Sequence, residues 1–290
     1  MSTPPGFTTL ISARDLTAAM GDPNLVMLDC RHDLVDPAMG RNAYDAGHIP
    51  GARFASIDRD LADHAPGADG AFRGRHPLPG RAAFLDTLRG WGIDDTTQVV
   101  AYDAHGGMYA ARLWWMLRWV GHAQVAVLDG GLPAWLAAGG AISQAPEAPA
   151  RPGSINDRPT LVTSVSVEEI QANLDRGSHI VIDARAPDRF RGENETLDPV
   201  GGHIPGAMNR FFKDNLQPDG RFKPADALRA AFAPLIADPA QAIMQCGSGV
   251  TACHNLLALE VAGMPGAALY PGSWSEWCAD PARPVATGAA

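Results

Sequence analysis

The sequence predicts an α/β protein built twice, as two tandem domains that each carry a mainly parallel sheet flanked by helices. Three observations lead there: several short strings recur in the same order in both halves of the chain, short β-branched runs alternate with amphipathic helical stretches, and a proline-rich segment separates the halves. The length of 290 residues agrees, because domains mostly hold roughly 100 to 150 residues and larger cores split.

The recurrence opens with Leu28-Asp29-Cys30-Arg31 and Ile182-Asp183-Ala184-Arg185, each closing an apolar run that reads as a buried strand. Gly47-His48-Ile49-Pro50-Gly51-Ala52 is then answered by Gly202-His203-Ile204-Pro205-Gly206-Ala207, and in these turns His48 and His203 are expected to hold loop hydrogen bonds. Further on, Val99-Val100-Ala101-Tyr102-Asp103 matches Ala242-Ile243-Met244-Gln245-Cys246. Leu128-Asp129-Gly130-Gly131 with Trp135 matches Tyr270-Pro271-Gly272-Ser273 with Trp277. The offset between the halves shortens between the second and third pairs, which places an insertion in the first half, around His64 to Pro79. Ala82 to Leu88 and Val167 to Leu174 read as amphipathic helices, and strands separated by helices favour a parallel sheet. The expected boundaries are residues 1–142 for the first domain, 143–159 for a linker centred on Gln144 to Gly153, and 160–290 for the second.

Hydrophobic residues make up 46% and charged residues 19% of the chain, ordinary for a globular protein with two cores. With 23 basic against 32 acidic residues the net charge is −9, and no Lys/Arg run could neutralise a phosphate backbone, so nucleic acid is not an expected partner. The segment Leu113 to Val120 is apolar but broken by Arg118, and nothing approaches a membrane span. Cys30, Cys246, Cys253 and Cys278 show neither disulfide nor C-x-x-C metal spacing, and the start of the chain lacks the pattern of a secretory signal. A reducing, cytoplasmic setting with free thiols and no metal is the expectation.

Chemistry concentrates in one loop. Gln241 to Gln245 reads as a buried strand, and Val250 to Val261 places Val250, Cys253, Leu257 and Val261 on one helical face ending at Gly263. Between them runs Cys246-Gly247-Ser248-Gly249-Val250-Thr251. Two glycines allow positive φ and turn amides inward, forming an anion-binding nest at a helix amino terminus. An unperturbed cysteine near pKa 8.5 is only a few per cent thiolate at pH 7, and a drop of about two units, worth roughly 2.7 kcal/mol, makes it mostly ionised. The helix terminus, the amides and the hydroxyls of Ser248 and Thr251 are the groups expected to supply that. Cys246 is therefore the candidate nucleophile, whereas Cys30, Cys253 and Cys278 read as buried structural thiols. Asp103 stands at the equivalent place in Asp103-Ala104-His105-Gly106-Gly107-Met108, and His105 reads as structural.

Taken together these residues resemble the tandem rhodanese family across nearly the whole chain, and Cys-Gly-Ser-Gly-Val-Thr looks like the loop of its 3-mercaptopyruvate sulfurtransferases. The resemblance implies two rhodanese-like domains. The first is inactive, because the Asp103 carboxylate cannot become a persulfide, and the second is catalytic through a Cys246 persulfide. It implies sulfur transfer from 3-mercaptopyruvate to cyanide or to a thiol, either a small thiol or a thioredoxin-like protein, with no organic cofactor. Gly247, Ser248, Gly249, Val250 and Thr251 would hold the sulfur anion, Arg189 the donor carboxylate, and Asp58 and His76 would assist proton transfer at the cysteine from the first half. Related thiosulfate enzymes carry basic residues after the cysteine; the neutral Gly247 and Ser248 favour a monoanionic donor. Relatives that prefer mercaptopyruvate often have a second arginine before the second Gly-His-Ile-Pro-Gly string. Here Glu193-Asn194-Glu195-Thr196-Leu197-Asp198-Pro199 lacks it, and Arg191 is the substitute considered.

Three other functions compete: thiosulfate sulfurtransfer, a noncatalytic persulfide carrier, and a C-x5-R phosphatase. The last is weakened by Ala252, which stands where its arginine belongs.

Overall fold

Each half folds around a five-stranded parallel sheet in the computed structural model, which describes residues 6–67, 70–146 and 151–289. The first sheet has β1 (Leu10–Ile11), β2 (Leu25–Asp29), β3 (Arg53–Phe54), β4 (Gln98–Tyr102) and β5 (Val125–Leu128), in the order β1-β5-β4-β2-β3. Its helices are α1 (Ala13–Ala19), α2 (Met39–Ala46), α3 (Ile57–Asp60), α4 (Arg81–Gly90), α5 (Ala110–Trp119) and α6 (Gly131–Ala137). The second sheet has β6 (Thr163–Ser164), β7 (Ile180–Asp183), β8 (Met208–Asn209), β9 (Ala242–Gln245) and β10 (Ala268–Leu269), in the same spatial order, β6-β10-β9-β7-β8. It is accompanied by α7 (Val167–Arg176), α8 (Pro187–Arg191), α9 (Ala225–Phe232), α10 (Thr251–Val261) and α11 (Ser273–Trp277).

The residues explain the elements. Nearly all of β4 and the whole of β9 are buried, as expected of strands covered on both faces in a parallel sheet, and full burial of each Val, Ile or Met contributes about 1.5–3 kcal/mol. Ser166 and Glu169 form a capping box at the start of α7, and Gly177 ends it in the left-handed conformation.

The repeated strings turn out to be one mechanical device used twice. Arg31 grips Asp29 and donates at 2.8 Å to the carbonyl of Gly47, while Arg185 grips Asp183 and donates at 2.6 Å to the carbonyl of Gly202. The histidines then act as expected. His48 stacks on Tyr44 at 3.9 Å with Nδ1 2.8 Å from the Tyr44 carbonyl, and His203 stacks on Phe190 at 3.8 Å with Nδ1 2.8 Å from the Phe190 carbonyl. Each makes an antiparallel bridge to the tail of its own unit, at Ser143 and Ala286. The indole N–H groups of Trp135 and Trp277 bind the carbonyls of Ala141 and Pro284.

The two units do not follow the chain order expected from the sequence. The first comprises residues up to Ala62, Pro79–Leu161 and Gln217–Phe222; the second comprises Asp63–Leu78, Val162–Leu216 and the chain from Lys223 on. The insertion inferred around His64 to Pro79 thus belongs, up to Leu78, to the second unit. The described part of the expected linker is fastened along the first unit, with Gly153 and Ile155 donating to the carbonyls of Arg89 and Ile93, and Ser154 and Asn156 binding Asp94 and Asp95. Its residues 147–150 lie outside the described residues. Among the described residues no helix is long and apolar enough to cross a membrane.

Candidate active site

Cys246 follows β9 directly and is 2% exposed. Its backbone is held on both sides: its N–H donates to the Ser273 hydroxyl at 3.1 Å, and its carbonyl accepts from the Trp274 amide at 3.0 Å. The next carbonyl, of Gly247, accepts from Ser275 at 3.0 Å. Gly249 has φ +76 and a side-chain carbon there would fall 2.2 Å from the Pro271 carbonyl oxygen, so only glycine closes this turn. The chain then enters α10 through Val250, with no side chain capping the helix, and Thr251 opens its first turn.

Ser273 takes φ 55, the one non-glycine residue in positive φ among the described residues. Its counterpart in the repeat, Gly131, has φ 59. The backbone geometry is thus common to both copies, and a residue that needs about 1–2 kcal/mol to adopt it occupies the copy with the cysteine. The Ser273 hydroxyl donates to the Tyr270 carbonyl at 2.9 Å and receives the Cys246 amide.

The first unit shows what such a loop does to an anion. Asp103 is completely buried, and its carboxylate accepts four backbone N–H groups: His105 and Gly107 on one oxygen at 2.8 and 2.9 Å, Tyr109 and Ala110 on the other at 2.8 and 3.0 Å. Its carbonyl is held by Leu132 as that of Cys246 is held by Trp274. A strand–loop–helix cradle of this kind stabilises one buried negative charge on amides alone. His105 itself is exposed beside Tyr109 and contributes only its amide to the carboxylate.

Around the Cys246 loop the second unit gathers His76, Arg75 and Arg189. His76 is buried with Nδ1 2.7 Å from the Ser248 hydroxyl. Arg189 binds Glu195 bidentately at 2.8 and 3.0 Å and lies 3.5 Å from Asp198, while Arg75 pairs with the other oxygen of Asp198. Burial pushes the Glu195 carboxyl up, but Arg189 and the amides of Leu197 and Asp198 outweigh it and hold the group below its ordinary range. For Asp198 burial prevails over Arg75, and its pKa is raised. The Cys278 thiol is pushed up to about 11, by burial first and then by Asp198.

Of the residues expected from the sequence, Cys246, Gly247, Ser248, Gly249, Val250, Thr251, His76 and Arg189 share the second unit. Arg191 turns away to Glu193, with contacts of 2.8 and 2.6 Å, because the two residues follow one another round the short α8 terminus at Gly192. Asp58 lies on α3 of the first unit, its carboxylate 3.9 Å from His32 Nδ1. Cys30 and Cys253 are buried thiols, as expected; Cys278 is buried too. Sequence reasoning missed Arg75, Asp198 and Ser273. For Ser273 a signal existed, since it stands where the first copy has a glycine.

A profile of the rhodanese-like domain matches residues 12–138 and 166–280. A Pseudomonas aeruginosa protein named as a probable 3-mercaptopyruvate sulfurtransferase is 48% identical over 282 residues, which span 96% of this chain and 98% of its own. The thiosulfate sulfurtransferase of Mus musculus is 36% identical over 261 residues, 88% of this chain and 85% of its own. The solved structure of the 3-mercaptopyruvate sulfurtransferase from Leishmania major matches with a TM-score of 0.83 at 29% identity, covering 96% of this chain and 76% of that one.

Proposed function

Since the chain belongs to the rhodanese family, as a tandem of two rhodanese-like domains, we propose that it is a sulfurtransferase that takes a sulfur atom from 3-mercaptopyruvate onto Cys246 and passes it to a thiol or to cyanide. The observation that carries this reading is the Asp103 cradle. The same loop type that holds a carboxylate on four amides in the first unit opens, in the second, on a sulfur nucleophile.

The Cys246 thiolate attacks the donor sulfur, the carbon–sulfur bond breaks, and pyruvate departs as its enolate, which then takes a proton. The electron pair of the broken bond leaves with the carbon, and the sulfur stays as a persulfide. An acceptor thiolate attacks the outer sulfur, the sulfur–sulfur bond breaks, and Cys246 returns to thiolate. The loop amides and the Ser248 and Thr251 hydroxyls hold the sulfur anion. His76, hydrogen-bonded to Ser248, orients that hydroxyl and moves a proton through it. Arg189 takes the donor carboxylate. Asp58 is assigned no step.

A comparison of steady-state turnover with 3-mercaptopyruvate and with thiosulfate, under one acceptor, tests the reading. Faster transfer from 3-mercaptopyruvate is expected. Thiosulfate clearly winning would reassign the donor, and persulfide formation without turnover would make the protein a carrier.

A further inference from the structure

Segment 193–199 holds no arginine, yet two guanidiniums stand beside the Cys246 loop. A side-chain carbon on Gly247 would lie 2.8 Å from Nη2 of Arg75 and 3.7 and 3.8 Å from the terminal nitrogens of Arg189. Asp198 joins the two, with one oxygen on Arg75 Nη1 and the other 3.5 Å from Arg189. The exposure is uneven: the Asp198 side chain is 3% exposed, that of Arg75 24% and that of Arg189 20%. The acid is shielded while both cations keep an open edge. The Arg75 backbone is fixed as well, its N–H donating to the Ser275 hydroxyl at 3.0 Å, and Ser275 in turn holds the Gly247 carbonyl. Arg75 is therefore tied to the loop through its backbone and to Arg189 through a shared carboxylate.

We propose that Arg75 is the second arm of the anion seat at Cys246, closing with Arg189 on the carboxylate of the sulfur donor, and that Asp198 is the positioning acid that sets the spacing of the two arms. This rests on the sulfurtransferase reading and deepens it. Arg75 does from the insertion around residues 63–78 what an arginine in segment 193–199 would do, and the residue found there is the acid that orients it. Arg189 keeps Nη1 outside its Glu195 pair and Arg75 keeps Nη2 outside its Asp198 pair, so the two guanidiniums offer one donor nitrogen each to the two oxygens of a planar carboxylate.

The test compares 3-mercaptopyruvate with inorganic polysulfide, a donor without a carboxylate, in the full-length protein. Arg75→Gln should raise KM for 3-mercaptopyruvate about tenfold or more with little change in kcat, the signature of lost ground-state and transition-state binding alike. The ratio of kcat/KM for 3-mercaptopyruvate to that for polysulfide should fall by a similar factor. Asp198→Asn should shift the ratio in the same direction, by less. A ratio within twofold of the wild-type value in Arg75→Gln would overturn the inference. If that variant does not fold, inhibition of Arg75→Lys by pyruvate is read instead: weakening of about threefold or more supports the second arm, and unchanged inhibition refutes it. A wild-type protein that moves sulfur from neither donor would overturn the sulfurtransferase reading as well, whereas an active wild type with an unmoved ratio removes only Arg75.

Discussion

Replacing Ser273 by alanine and by glycine separates two contributions that its position combines. Alanine keeps the strained φ 55 but removes the hydroxyl that accepts the buried Cys246 amide at 3.1 Å and donates to Tyr270 at 2.9 Å. A buried donor left unpaired costs about 1–3 kcal/mol, and the strain, present before and after, cancels. Glycine removes the same hydroxyl but relieves about 1–2 kcal/mol of left-handed strain, offset by about 0.5–1 kcal/mol of extra unfolded-state entropy. The glycine variant should therefore be more stable than the alanine variant by up to about 1.5 kcal/mol, and the alanine variant should be less stable than the wild type. Urea unfolding monitored by tryptophan fluorescence reads these differences, because Trp274 and Trp277 are fully buried on the helix that Ser273 opens. Both variants also free the backbone that aims the nucleophile, so kcat for sulfur transfer should fall about tenfold in each. An alanine variant as stable and active as the wild type would refute the hydroxyl's part, and a glycine variant less stable than alanine would refute the strain.

Two further outcomes follow from the same geometry. Asp103→Ala leaves three buried amides and one part-buried amide without their acceptor and should destabilise the first unit by at least about 3 kcal/mol in urea unfolding, with Asp103→Asn falling between it and the wild type. Alkylation at neutral pH should reach Cys246 first and abolish sulfur transfer. Cys278, pushed up to about 11, and Cys30, raised by burial and then by Asp29, carry almost no thiolate there and should be modified later, as read by peptide mass mapping.

Much of the fold could be read from the chain because the duplicated strings are structural rather than decorative. An arginine that must grip both a strand aspartate and the carbonyl of the first glycine in Gly-His-Ile-Pro-Gly leaves the same letters in both halves, as Arg31 and Arg185 do. The strand, glycine turn and helix around Cys246 were legible for the same local reason. Arg75 was not, because its place beside Gly247 depends on residues 63–78 belonging to the second unit, a long-range arrangement that leaves no periodic signal. The spacing of Arg191 from Arg189 does not show that Glu193, two residues on, pairs with it. Ser273 lay in plain view, aligned with Gly131; a conformation that glycine adopts freely in one copy is held by a hydroxyl in the other.

In the proposed mechanism Cys246 carries the transferred sulfur. Mass analysis of the Cys246 peptide after exposure to 3-mercaptopyruvate, without acceptor, tests it directly. One added sulfur atom is expected on Cys246, lost when a thiol acceptor is supplied, and Cys246→Ser should transfer no sulfur. Full transfer by Cys246→Ser, or the added sulfur on Cys30, Cys253 or Cys278 instead, would contradict it.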